Sequence, residues 1–152
     1  MDRFTQTFTV RWGDCDMNGH VRNTMYSEYA IETRMAYLTE HGFGYEQLAA
    51  HMIGPVLLRE EIDYQREIRA GETVTVDLVV LGLSPEGGKW RFRQDLFKPN
   101  GKQAARVAVL GGWMDLRTRH LVPAPAGLGQ AIASLPKVPE FQGLPPLGSS
   151  RK

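Results

Sequence analysis

One run constrains this chain more than any other. Thr24 to His41 is eighteen residues without glycine or proline, and Gly42 closes it. A long helix suits such a run, with the glycine as its stop. Met25, Tyr26, Tyr29, Ala30, Ile31, Met35, Ala36 and Leu38 recur at helical spacing. An apolar surface that broad predicts a helix wrapped by other structure rather than laid on it. Asn23, or a neighbour, is placed to cap its start.

The rest reads mainly as strands. Phe4, Phe8, Val10 and Trp12 alternate with Thr5, Thr7, Thr9 and Arg11, which predicts a half-buried strand over 4–12. Tyr45 to Met52 suits a short helical turn, broken by Gly54-Pro55. Four strands follow, turned at Ala70-Gly71-Glu72, Pro85-Glu86-Gly87-Gly88 and Pro99-Asn100-Gly101. The last of them, Ala104 to Leu116, is apolar on both faces and so is expected to be central. Gly111-Gly112 within it would admit a helix or partner chain. Ala126 to Leu135 suits a short helix. Residues 136–152 hold four prolines and a Gly-Ser-Ser run, and read as a loose tail. The expected architecture is α+β: a single domain over 1–135 in which one antiparallel sheet of about five strands curls around one helix.

Bulk composition narrows the function classes. A net charge of +1 with interspersed signs gives no stripe for nucleic acid and no pull to acidic membranes. One cysteine makes neither an intrachain disulfide nor a structural zinc site, which suits a reducing cytoplasm. No membrane-spanning run and no apolar leader at Met1–Gln6 are present, so the expected location is cytoplasmic.

Chemistry concentrates between the first strand and the long helix. Gly13 to Asn23 packs Asp14, Asp16, His20, two glycines and two asparagines into eleven residues. The start of the helix aims free N–H groups back at this loop, which favours an anion or a polarised carbonyl there. Asp16 is the expected working carboxylate, with Gly19 letting the loop fold back. Asp14 reads as structural, and Cys15 as packing, since no His-plus-acid pair surrounds it. Arg59, Arg66, Lys89, Arg91, Arg117 and Arg119 read as solvated strand faces, although each could meet a phosphate.

The run Val10-Arg11-Trp12-Gly13-Asp14-Cys15-Asp16-Met17-Asn18-Gly19-His20-Val21-Arg22-Asn23-Thr24-Met25-Tyr26 resembles the hotdog-fold thioesterases of the 4-hydroxybenzoyl-CoA thioesterase-like branch. That pattern is an aspartate, two residues, a glycine, often His-Val, an asparagine or asparagine pair, and an aromatic one helical turn later. Ile62-Asp63-Tyr64 with Arg66 also looks like the family's second strand, and the element order agrees over residues 4–122. The resemblance implies an acyl-CoA thioesterase in which Asp16 is nucleophile or general base. The backbone N–H of Asn23 would polarise the thioester carbonyl, and His20 would orient the loop or touch substrate. Gly19, Val21, Arg22 and Tyr26 are the implied substrate-binding positions. No metal or separate cofactor is implied, coenzyme A being part of the substrate, and the acyl carrier could equally be acyl carrier protein. A homodimer or homotetramer is implied, with sites at subunit interfaces. The chain departs from the doubled asparagine at Arg22, which a backbone donor would not feel.

Two rivals stand beside this reading. One is a hotdog protein that binds acyl thioesters without hydrolysing them. The other is calcium binding, because Asp14, Asp16, Asn18 and Gly19 fall on positions of a calcium-loop pattern. The closing bidentate Glu of that pattern is Met25 here, and a strand precedes the loop where a helix is needed.

Overall fold

The computed structural model describes residues 3–148, so Met1, Asp2 and the last four positions of the expected tail lie outside it. Among the described residues a six-stranded sheet curves around one long helix. The strands are β1 (Phe4–Thr9), β2 (Ile53–Tyr64), β3 (Thr73–Leu83), β4 (Lys89–Phe97), β5 (Gln103–Asp115) and β6 (Lys137–Gly143). The helices are α1 (Asn23–Glu40), α2 (Tyr45–Ala50) and α3 (Ala126–Ala133). The order across the sheet is β1-β3-β4-β5-β2, all antiparallel, and β6 joins β3 in parallel.

α1 packs one face on the sheet. Met25, Tyr26, Tyr29, Ala30, Thr33, Arg34, Tyr37 and Leu38 are buried, at the three- and four-residue steps of a single stripe. Its other side, including Ile31, Glu28 and Glu32, is exposed. The sheet curves around this buried stripe, as the broad apolar surface had implied, and leaves the opposite side of the helix open. Two polar residues share the buried stripe because each finds a partner. Thr33 Oγ1 donates to the Tyr29 carbonyl at 2.8 Å, and Arg34 Nη1 donates to Gln94 Oε1 at 2.8 Å. Phe8 stacks on Tyr29 and Phe4 meets Tyr37 edge-on, each at 5.2 Å between ring centroids. These contacts tie β1 to the middle and end of the helix.

Three expectations change. Trp12 does not continue the inward face of β1: the strand ends at Thr9, a 3₁₀ turn covers Trp12–Asp14, and Trp12 is 91% exposed. The cause is Asp14, whose carboxylate accepts from the Arg11 amide and guanidinium and pulls the chain into the turn. Gly111 does not admit a helix or partner chain. It leaves room for the cross-strand Trp90 ring, since a Cβ at 111 would lie 2.2 Å from that indole. The expected tail supplies β6, which extends the domain past 135 and makes the sheet six-stranded. Val80 N–H donates to the Pro136 carbonyl and Leu144 N–H to the Leu83 carbonyl. β6 pairs with β3 at Lys137 and again at Gln142–Gly143, so Pro139 falls between pairing points where its missing N–H is not needed.

Candidate active site

The acidic loop is a small closed structure. Cys15 pairs with Val21, Asp16 N–H donates to the His20 carbonyl at 2.8 Å, and Gly19 N–H returns to the Asp16 carbonyl at 3.1 Å. Asp16 Oδ1 accepts from the Asn18 amide at 2.8 Å, which is an Asx turn. The Asp16 backbone is thus pinned and one carboxylate oxygen is oriented, while the residue stays exposed. Gly19 sits at φ +74°, with nothing within 4 Å of an added Cβ. Gly19→Ala is therefore expected to cost about 1 kcal/mol, all of it backbone strain. Chemical denaturation of the variant measures it, and a cost near zero would mean that the loop relaxes.

Asp14 holds this loop to the helix. It is 1% exposed and accepts from the Tyr29 hydroxyl at 2.9 Å, the Arg11 amide at 3.0 Å and Arg11 Nη2 at 2.8 Å. Burial alone would raise its pKa. The Arg11 side-chain and backbone bonds and the Tyr29 hydroxyl outweigh it and hold the carboxyl below its ordinary value. Tyr29 responds in the opposite direction, its hydroxyl pushed up by burial and by its bond to Asp14. With its oxygens so engaged, Asp14 is not free as the first ligand of a calcium loop. Among the described residues no group of three or more His, Cys, Asp or Glu could hold a metal ion.

The start of α1 is fixed by Arg22. Its amide donates to the Asp14 carbonyl at 2.9 Å, and its guanidinium donates to the Gly13 carbonyl and to Thr24 Oγ1. Arg22 is the capping position and makes no side-chain cap, so Asn23 is the first helical residue rather than the cap. Among the described residues neither the Asn23 nor the Thr24 amide finds an acceptor. Both donors are left for a ligand or water, as helix starts leave them.

The other expected residues fall as follows. His20 Nε2 lies 2.9 Å from Glu67 Oε2 and is partly exposed. The Arg69 hydrogen bond, and then His20, hold Glu67 below its ordinary pKa. Val21 is buried and its amide donates to the Ile68 carbonyl at 2.7 Å, so it anchors the loop. Tyr26 is buried one turn into α1 and meets Tyr64 edge-on at 5.0 Å. Burial first, then Tyr64 and Asp16, raise its pKa. Cys15 packs against the core, its thiol 3.7 Å from the Arg11 carbonyl. Arg59 pairs with Glu61, and Arg66 donates to the Gln103 carbonyl at 2.6 Å.

Periodicity gave no sign of a cavity of about 190 Å³ between the middle of α1 and the sheet, with Arg34, Phe92, Trp90, Trp113 and Ile132 among its walls. Asp16 does not line it. The cavity is assembled by side chains from α1, β2, β3, β4, β5 and α3.

One helix on a curved antiparallel sheet, with an acidic loop at the helix start, defines the hotdog class. Similar solved structures agree. A Staphylococcus aureus protein in complex with CoA is 22% identical, with a TM-score of 0.81 over 87% of this chain and 82% of that one. A 1,4-dihydroxy-2-naphthoyl-CoA thioesterase from Synechocystis is 18% identical, with a TM-score of 0.79 over 88% and 98%. A DHNA-CoA thioesterase from Staphylococcus aureus is 18% identical, with a TM-score of 0.72 over 78% of each chain. No curated protein sequence matches the chain. The description of the thioesterase-like superfamily matches residues 10–132. The chain belongs to that superfamily, and as such it is a thioester hydrolase. Among the described residues no helix is long and apolar enough to cross a membrane.

Proposed function

We propose that the chain hydrolyses acyl-CoA thioesters at the start of α1, with Asp16 as nucleophile or general base. The observation that carries this is the exposed Asp16 carboxylate, steadied by the Asn18 amide, in the loop that leads into a helix start whose Asn23 N–H has no acceptor among the described residues. As general base, Asp16 takes a proton from water while the water oxygen bonds to the thioester carbon. The carbonyl electrons move to oxygen, where the Asn23 amide meets the new charge, and collapse expels the CoA thiolate, which takes up a proton. As nucleophile, the carboxylate bonds to the same carbon, expels the thiolate and leaves an anhydride that water then opens. One oriented donor at that oxygen is worth on the order of 3 kcal/mol in barrier height. Gly19 and Arg22 border the same loop, and Tyr26 backs it.

His20 serves here as a positioning residue through Glu67. His20→Gln is expected to lower kcat less than tenfold and to leave the melting temperature essentially unchanged, because both partners are partly exposed. Steady-state kinetics and a thermal melt check both. A loss of a hundredfold or more would make His20 a proton carrier instead.

A second copy is proposed to complete the site. β2 is an edge strand that leaves Leu57, Leu58 and Tyr64 exposed, and a long apolar edge invites pairing. Thiol release from a panel of acyl-CoAs and acyl carrier protein thioesters tests the activity and identifies the carrier. Turnover of none of them would overturn the assignment.

A further inference from the structure

The cavity behind α1 has one charged side chain, Arg34, in an otherwise apolar and aromatic wall. Arg34 is only 8% exposed, and of its five N–H groups one is spent on Gln94 Oε1. Gln94 is locked in that orientation because its Nε2 donates to the Ala30 carbonyl at 2.9 Å. Among the described residues no carboxylate pairs with Arg34. Glu60, the one acid that acts on it through space, is exposed and accepts from Ser27 Oγ at 2.5 Å. Trp90 and Trp113 add aromatic rings to the same wall and are 2% and 1% exposed.

A guanidinium can only donate, so an occupant that meets Arg34 has to bring acceptors. A buried cation without a counter-charge is costly unless something pairs with it, and the planar guanidinium fork matches a carboxylate. The remaining walls are apolar and aromatic. A cavity of about 150 Å³ holds a benzene ring, so about 190 Å³ holds a short chain or one ring together with its end group. Burial pulls the Arg34 pKa down to about 10, so the group remains charged at neutral pH.

We propose that this cavity receives the far end of the acyl group and that this end carries a carboxylate held by Arg34, which makes the substrates monothioesters of dicarboxylic acids. This rests on the thioesterase reading above. Arg34 lies eleven residues beyond Asn23, about 16 Å along the helix, and its side chain reaches back toward the helix start. That reach of about 6 Å leaves about 10 Å to the Asn23 amide, which acyl groups of about eight to ten carbons span.

The test compares matched CoA thioesters of six, eight and ten carbons, ended by methyl or by carboxylate. The wild-type protein is expected to favour the carboxylate-ended member by at least tenfold in kcat/KM at one length or more, and Arg34→Met is expected to abolish or invert that preference. Should Arg34→Met fail to fold, Arg34→Lys carries the comparison, keeping the sign of the preference and reducing its size. Hydrolysis of both members at equal rates, slowed alike by substitution, would overturn the inference and leave the thioesterase assignment standing. If neither member is hydrolysed, calorimetric titration with free adipate and suberate decides separately. Uptake lost in the Arg34 variant supports the anion site, and no uptake by the wild type overturns it.

Discussion

Asp16→Asn is expected to lower kcat for acyl-CoA hydrolysis by about a thousandfold, with the fold intact. The substitution keeps an oxygen able to accept from the Asn18 amide, so the Asx turn and the loop persist. It removes the negative charge and basicity that either route needs, and general-base catalysis alone is worth about 10²–10⁴-fold. Asp16 is exposed and packs in no core, so the melting temperature of the variant is expected to match the wild type. Released thiol, followed continuously beside a thermal melt, gives both quantities. Wild type and variant that turn over equally would remove Asp16 from the chemistry. Two equally inert proteins that still bind acyl-CoA would mark a binding protein instead.

Asp14→Ala is expected to cost about 3 kcal/mol of stability, and activity with it. Two bonds to the charged carboxylate from buried or backbone donors disappear, those of the Tyr29 hydroxyl and the Arg11 amide. Each is worth about 1.5–3 kcal/mol, and the Tyr29 hydroxyl is left without its partner. The Arg11 guanidinium adds little, because it is exposed and can turn to water. The same carboxylate sets a pH dependence. Its folded pKa is lowered, so its contribution is complete above the unfolded value of about 3.9. It fades as the pH falls through the still lower folded value. Urea unfolding of wild type and variant at a series of pH values checks this. The gap between them should be constant from pH 5 upward and close in acid, and a gap that widened in acid would contradict the assignment.

The fold was legible wherever periodicity is enforced by burial. α1 and strands β3 to β5 carry alternation or helical spacing because each puts one face on the core. Trp12 escaped because a local acid, Asp14, draws the chain into a turn and the strand ends three residues early, at Thr9. β6 escaped because its prolines argue against a strand, and only the tertiary arrangement reveals that Pro139 sits between pairing points. The loop was legible from its density of Asp, Asn and Gly, which few structural turns require. Arg34 was not, since a single arginine inside a helical run looks like any solvated charge until Gln94, sixty residues away, is brought to meet it. Such long-range pairings leave no mark on local pattern.

β1 and β6 lie end to end along the same side of β3, one on Thr73–Leu78 and the other on Val80–Leu83. A single template strand is therefore sealed by segments from opposite ends of the described chain. The β3–β4–β5 meander needs only sequence neighbours, whereas both seals require long loop closures whose entropy is lost before any pairing is gained. Assembly is accordingly ordered by topology, with the meander as scaffold and the two outer seals as the steps that finish it.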